Sequence, residues 1–238
     1  MSNTVKSIVF ALITAMVCSF LLTAASAGLK PFQQENVEVD QKKNILKAVG
    51  LIQEDKKYSN ETIKQSYADT IQAVRISADG VIIGEGESAE KALPVYVYLK
   101  NEQIVSYIIP INSSGLWGRI MGYLALRNDG STIAGFTVYK HAETPGLGGE
   151  IEKRWFQKNF EGKKVLDMNG NFVSISIAKG ALSPSFPEDK RPNFVDGISG
   201  ATLTGKYLSA GLKDTLLDYE PVSIKFRTKQ MLRLRGVK

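Results

Sequence analysis

The most apolar stretch of the chain is residues 8–27, which read IVFALITAMVCSFLLTAASA and contain no charge, glycine or proline. About twenty apolar residues in a helix span the ~30 Å hydrocarbon core of a bilayer. A cleaved signal peptide is the alternative, because Ala25-Ser26-Ala27 suits a signal peptidase. The apolar stretch is longer than the roughly 7–15 residues typical of such peptides. The pattern therefore favours a retained transmembrane helix over residues 7–27.

The charges that flank this stretch suggest an orientation. Lys6 and the α-amino group suit a cytoplasmic segment over residues 1–6 and a translocated domain, although Lys30 on the other side weakens the bias. Cys18 in mid-span is most simply a small apolar residue.

Residues 28–57 are mostly polar and are expected to form a stalk or helical linker. Gly28 and Pro31 are expected to end the membrane helix. The segment then carries a loose apolar stripe at helical spacing, made of Val39, Ile45, Leu46, Val49 and Ile52.

Residues 58–224 have the alternation expected of a folded domain. Runs at 81–85, 93–100, 103–111, 121–127, 133–140 and 173–178 predict strands, and Asn128-Asp129-Gly130 predicts a hairpin turn between two of them. Helices are predicted over 151–159 and from near Thr202 to Leu217, the second with a row of leucines at i, i+4 and i+8. Hairpins with helices segregated at one end indicate an α+β domain with a mostly antiparallel sheet.

The net charge of +6 does not indicate a nucleic-acid-binding domain. Residues 225–238 carry six basic residues and no acidic one, so the other 224 residues sum to zero. We expect this basic tail to be a solvated end, or else to dock on anionic lipid or an acidic partner protein. The six residues are Lys225, Arg227, Lys229, Arg233, Arg235 and Lys238.

The chain has one cysteine, Cys18, and one histidine, His141. A single cysteine excludes an intrachain disulfide and a cysteine-rich iron–sulfur site. A metal site built on histidine and cysteine is nearly excluded as well, so no metal is expected.

Residues 200–206, GATLTGK, match the phosphate-binding pattern G-x-x-x-x-G-K, but the pattern fails in its context. Tyr207 stands where a P-loop needs serine or threonine for magnesium. The preceding FPEDKRPNFVDGIS is a loop instead of a buried strand, and only 33 residues follow Gly205. The G-x-G-x-x-G pattern of a dinucleotide site is also absent, so no NADH site is expected.

Shifted by a few residues, the same region reads DGISGAT over residues 196–202 and resembles the D-x-x-S-G-A-T signal for covalent flavin attachment. A second block, HAETPGLGGEIEKRWFQKNFEGK (141–163), resembles a flavin-lining segment. With residues 28–51, residues 115–126 and the N-terminal anchor, these blocks resemble the NqrC family, whose members belong to the sodium-translocating NADH:quinone oxidoreductases. The basic tail is the one departure we note from that family.

The resemblance implies FMN joined to Thr202 by a phosphoester bond. A flavin transferase that uses FAD and magnesium would recognise Asp196, Ser199, Gly200, Ala201 and Thr202. No residue is assigned a catalytic role. The further FMN-binding residues implied are Glu143, Thr144, Gly146, Leu147, Gly148, Ser199, Gly200, Ala201, Leu203, Lys179 and Trp117.

The resemblance also implies a place and partners for the chain. It would be a single-pass protein of the bacterial inner membrane with its main domain outside the cytoplasm. It would relay electrons within a sodium-pumping NADH:ubiquinone reductase, a translocase and oxidoreductase. Its partners would be the other subunits, membrane lipid and, during maturation, the flavin transferase.

The residue types fit these roles physically. Small residues at 199–201 let a phosphate approach the backbone closely, and a helix that starts near Thr202 would face it with free N–H groups. Asp196 and Ser199 are candidate caps of that helix. Leu147 offers an aliphatic face to the ring. The resemblance implies that Glu143 and Thr144 bond the polar edge of the ring.

Some of the site residues have a plainer interpretation. Trp117 is as well explained by packing, and Lys179 by a solvated surface position. His141 is assigned no role.

Two alternative functions stay open from the sequence. RnfG of the ferredoxin:NAD oxidoreductases shares the anchor and the attachment signal, although residues 28–57 and GGEIEKRWF favour the quinone reductase. The neighbouring genes would separate these two. A membrane-anchored, non-redox ligand-binding module is the alternative from another class, and it predicts a colourless protein.

Overall fold

The computed structural model describes residues 2–53, 55–83 and 92–231. The chain divides into two compact units, Met1–Asp40 and Gln41–Lys238. The second unit contains the sheet, the shorter helices and the hydrophobic core.

Helix α1 (Asn3–Ala48) contains the apolar stretch. It is the one helix, within the described ranges, that is long and apolar enough to cross a membrane, a test that signal sequences also pass. The expected end at Gly28 and Pro31 is wrong, because the helix continues through both residues. A proline inside a helix removes one backbone hydrogen bond and crowds the carbonyl of the preceding turn. The long helical segments on both sides of Pro31 outweigh this local cost.

A six-stranded antiparallel sheet forms the centre of the second unit, in the order β2-β1-β3-β4-β5-β6. Strands β4 and β5 are the longest, and their central residues are buried on both faces. The strands are β1 (Ile71–Ile76), β2 (Ile82–Ile83), β3 (Leu93–Lys100), β4 (Gln103–Ser114), β5 (Arg119–Arg127) and β6 (Ile133–Lys140).

The predicted α+β class and its antiparallel sheet are confirmed. Predicted strand 93–100 is β3, and those at 103–111, 121–127 and 133–140 lie in β4, β5 and β6. Predicted strand 81–85 is β2 as far as it is described, since residues 84 and 85 lie outside the described ranges. The sequence missed α2 (Asn60–Thr70) and β1, whose IQAVRI lacks strict alternation.

Two further elements differ from the prediction. Residues 173–178 give only β7 (Ser176–Ile177), which pairs in parallel with β8 (Phe194–Val195). Ser174 has a φ of 68°, a left-handed conformation that a regular strand does not accept. The helix predicted over 151–159 is divided into a 3₁₀ turn (Gly148–Glu152) and α3 (Arg154–Lys158).

Helix α4 (Thr202–Asp218) lies on one face of the sheet. Its leucine row, Leu208, Leu212 and Leu216, is buried as predicted. Gly211 lets the helix approach β4 closely, because a Cβ there would lie 2.1 Å from Ser113 Oγ. Ser113 Oγ in turn donates to the carbonyl of Tyr207 at 3.1 Å.

The C-terminal part of α1 covers the opposite face. Gly135 on β6 has its Cα against the Ala48 carbonyl, where a Cβ would be 2.3 Å away. Thr137 Oγ1 donates to the carbonyl of Asn44 at 3.3 Å. The β4–β5–β6 register places these two residues on the face opposite Tyr107 and Ser113. The antiparallel sheet is therefore covered on both sides.

The predicted domain boundary at residue 224 falls inside a helix, because α5 spans Glu220–Arg227. Phe226 is 1% exposed and stacks on Tyr107 with ring centroids 4.3 Å apart. Tyr107 hydrogen-bonds Ser223 at 2.7 Å, and its burial raises the pKa of its phenol. Arg227 pairs with Glu220. Lys225 and Arg227 are therefore parts of a packed helix, whereas residues 232–238 of the expected tail lie outside the described ranges.

We predict that Phe226→Ala lowers the free energy of unfolding by about 3–5 kcal/mol, since it deletes a buried ring. Ile224→Ala on the same helix removes a side chain that is 46% exposed. This substitution is expected to change the free energy of unfolding by about 0.5 kcal/mol or less. Urea unfolding of residues 41–238 measures both. Equal effects of the two substitutions would mean that α5 is not part of the cooperative core.

Candidate functional site

A cleft with a volume of about 200 Å³ opens where three segments of the second unit meet. These are the turn between β4 and β5, the glycine-rich loop after β6, and the start of α4. The lining residues are Leu116, Trp117, Glu143, Thr144, Leu147, Gly148, Gly200, Ala201, Thr202, Leu203 and Thr204.

The start of α4 supplies one wall of the cleft. Thr202 is the first helical residue, is exposed, and follows a turn in which Ala201 N–H donates to the Ile198 carbonyl at 3.1 Å. Among the described residues, no side chain caps the helix. The first N–H groups of a helix have no partner within it, so this end of α4 suits an anion.

The expected caps of α4 are therefore wrong. The Asp196 carboxylate accepts from Leu182 N–H at 2.7 Å, because Asp196 lies before the turn that precedes the helix. Ser199 is exposed and makes no cap. Gly200 between them and the helix has a φ of 76°, and a Cβ there would lie 2.8 Å from Leu147 Cδ2. The turn thus needs glycine for both its conformation and its contact with the second wall.

The glycine-rich loop supplies that second wall. The Thr144 carbonyl accepts from Leu147 N–H at 3.2 Å and from Gly149 N–H at 2.9 Å, which closes the loop on itself. Gly146 has a φ of 74°. The loop leaves the Leu147 side chain 44% exposed beside the cleft. An aliphatic group held in this way offers an apolar surface to a ring.

Glu143 lies beneath the cleft and joins its three walls. It is 5% exposed. Its Oε1 accepts from Leu116 N–H at 2.8 Å and from Trp117 N–H at 3.1 Å, and its Oε2 accepts from the Thr204 hydroxyl. Both carboxylate oxygens therefore already have protein donors.

His141 contacts the backbone of Glu143. His141 Nδ1 accepts from Glu143 N–H at 3.1 Å, and its Nε2 lies 3.1 Å from Glu152 Oε2. Hydrogen bonds from Lys153 and His141 hold the pKa of the Glu152 carboxyl below its usual value. Sequence reasoning missed this role of His141, because its contact with Glu143 is to a backbone group.

The structure brings together most of the residues that the sequence singled out. Trp117 reaches the rim of the cleft and is 68% exposed. Gly146, Lys179, Asp196 and Ser199 are not among the lining residues. Leu116 and Thr204 line the cleft and were missed. Thr204 lies two residues after Thr202, and this closeness to the motif is the signal that would have identified it.

The arrangement suits a mononucleotide with an aromatic ring. An exposed hydroxyl stands at a helix start that favours a phosphate. Beside it lie exposed apolar side chains, Leu116, Trp117, Leu147 and Leu203. The residues present therefore fit a flavin with its phosphate at α4 and its ring against the loops.

Comparison with known proteins agrees with this chemistry. The family described as FMN-binding domain matches residues 115–217. The chain is 34% identical over 227 residues to the NqrC protein of the Na(+)-translocating NADH-quinone reductase of Yersinia pestis, covering 84% of this chain and 83% of that protein. It is also 34% identical to the NqrC protein of Haemophilus ducreyi over 228 residues, 84% of each chain.

Solved structures show the same fold. NqrC from Parabacteroides distasonis superposes with a TM-score of 0.68 at 31% identity, covering 82% of this chain and 96% of that one. NqrC from Shewanella oneidensis superposes with a TM-score of 0.67 at 21% identity, covering 82% and 99%. The second likeness concerns the fold alone.

We predict that Gly148→Ala disrupts the cleft, because its Cβ would lie 2.5 Å from Thr204 Oγ1 and 2.6 Å from Glu143 Oε2. Overpacking of this kind costs about 1–3 kcal/mol of unfolding free energy. Gly180→Ala is the matched control, since apart from its chain neighbours no atom of the described residues lies within 4 Å of the added Cβ. Thermal unfolding checks both, and a Gly148→Ala protein as stable as the control would contradict this geometry.

Proposed function

The chain belongs to the NqrC family of the Na(+)-translocating NADH-quinone reductases and contains an FMN-binding domain; we propose that its FMN is esterified to the hydroxyl of Thr202. The relatives are subunits of an oxidoreductase complex, and this chain is an electron-carrier subunit of that kind. The flavin, when bound, supplies the one- and two-electron chemistry, and the protein supplies attachment, orientation and electrostatics.

One observation carries the proposal, which is the position of Thr202. It is exposed at the first residue of α4, inside the cleft and beside Leu147 and Trp117. A phosphodiester at its hydroxyl would lie at the positive end of a helix of 17 residues. Thr204 is a poor substitute, because it is buried and its hydroxyl already donates to Glu143.

The attachment step follows from the same position. The Thr202 oxygen attacks the FMN phosphorus of FAD, the pyrophosphate bond breaks, and AMP leaves with the proton passing to solvent. A flavin transferase catalyses this step with magnesium. The turn that precedes Thr202 is accessible to such an enzyme, since Ser199 and Gly200 are exposed.

The anchor completes the proposal. Residues 8–27 of α1 hold the protein in the bacterial inner membrane with the flavin domain outside the cytoplasm, next to the other subunits of the complex. A covalent tether has a clear use there, since a dissociated cofactor would be lost to dilution. The relatives described above are all NqrC proteins, which favours the quinone reductase over the Rnf alternative.

We predict that the protein co-expressed with a flavin transferase gains the mass of one FMN less water, and that its fluorescence under ultraviolet light survives denaturation. Thr202→Val loses both signals, because it removes the oxygen of the ester and keeps the side-chain shape. Thr202→Ser is the matched control, since it keeps a hydroxyl. A colourless wild-type protein of unmodified mass, made with an active transferase, leaves the non-redox binding module as the better account.

We also predict that the mature protein keeps its N-terminal helix and leaves the membrane fraction only with detergent. Roughly twenty apolar residues anchor a chain in the hydrocarbon core of a bilayer. Salt washing does not release a protein that is anchored in this way. Intact mass of the extracted protein checks this. A mature chain that begins at Gly28 would show that the segment is a cleaved signal peptide.

A further inference from the structure

Glu143 is the point at which the three walls of the cleft are joined, and its surroundings are built for a carboxylate. Its two oxygens accept from two backbone N–H groups of the β4–β5 turn and from a hydroxyl of α4. Glycines stand on both sides of it. A Cβ on Gly115 would lie 2.6 Å from Oε1, and a Cβ on Gly148 would lie 2.6 Å from Oε2.

We propose that Glu143 is a positioning residue, which fixes the flavin-bearing turn against the two loops, and that its buried charge lowers the reduction potential of the flavin. The inference rests on the proposed function. It differs from the expectation that Glu143 bonds the polar edge of the ring. A group that is 5% exposed and has three protein donors has little capacity left for such a bond.

The positioning part follows from the spacing along α4. Thr204 is buried in the same first turn that exposes Thr202. Its bond to Glu143 therefore fixes the turn that carries the ester. The other oxygen fixes the backbone of Leu116 and Trp117, which line the cleft from the opposite loop. One carboxylate thus sets the distance between the attachment residue and the apolar side chains that would meet the ring.

The electrostatic part follows from burial beside the cleft. Glu143 lines the cleft that would hold the ring, and each of its described donors is neutral. A negative charge in a poorly solvated site opposes the arrival of electrons nearby. Removing that charge while keeping the shape therefore makes the flavin easier to reduce.

Two substitutions at position 143 separate the two parts. Glu143→Gln removes the charge but keeps an oxygen for Leu116 and Trp117, and the Thr204 hydroxyl can turn to accept from the new amide. Glu143→Ala removes both the charge and the hydrogen bonds. Thr204→Val deletes the bond to α4 alone, and Thr204→Ser should restore it. Glu161→Gln, at an exposed carboxylate, is the control.

The first readout is amide hydrogen exchange at Leu116 and Trp117 in a Thr202→Val background, which carries no flavin. We expect severalfold faster exchange in Glu143→Ala, an intermediate increase in Thr204→Val, and near-parental rates in Glu143→Gln, Thr204→Ser and Glu161→Gln. Parental exchange in Glu143→Ala would overturn the positioning role. Because no flavin is present, this readout stands even if the proposed attachment at Thr202 fails.

The second readout is the midpoint potential of the flavin in loaded protein that keeps Thr202. We expect Glu143→Gln to shift it upward, with Glu161→Gln unchanged. An unchanged potential in Glu143→Gln would overturn the electrostatic role. Intact mass confirms loading in each variant. A wild type without covalent flavin would refute the proposed function instead, and the exchange rates would still decide the positioning role.

Discussion

The hydrogen bond from Thr204 to the buried carboxylate of Glu143 joins helix α4 to the sheet domain at the point where the cleft opens. The rest of the site depends on this junction. The leucine row of α4 holds the body of the helix on the sheet, and the close contact of Gly211 with Ser113 sets its distance from β4. The junction then fixes the first turn, so that Thr202 is exposed while Thr204 is buried.

A shallow cleft explains the value of a covalent bond. The cleft measures about 200 Å³, and Trp117, Leu147 and Leu203 at its rim are 68%, 44% and 50% exposed. Drug-sized ligands are held by clefts of about 300–1,000 Å³ that bury most of their surface. A smaller, open cleft binds more weakly but leaves the ring within reach of another redox centre. An ester bond supplies retention without burial, which suits an electron carrier.

The fold could be predicted from the sequence where the alternation of apolar residues was clean. Strand β3 and the start of α4 were found at their observed positions. The prediction failed where backbone conformation decided the outcome, as at Ser174 with its positive φ. It also failed where tertiary contacts stabilise a short element, as with α5 and Phe226. In the site, motif residues such as Leu147 and Trp117 were found, whereas the hydrogen bonds that Glu143 accepts were not. Two of its three donors are backbone groups, which no side-chain pattern reveals.

The most direct test of the account is to locate the flavin on the chain. Trypsin should release RPNFVDGISGATLTGK (191–206), a peptide that contains Ser199, Thr202 and Thr204 together. Tandem mass spectrometry of this peptide, from protein made with a flavin transferase, assigns the added mass to one hydroxyl. We expect FMN on Thr202, with Ser199 and Thr204 unmodified. FMN on Thr204 would contradict this assignment. An esterified Thr204 could no longer donate to Glu143, and the cleft depends on that hydrogen bond.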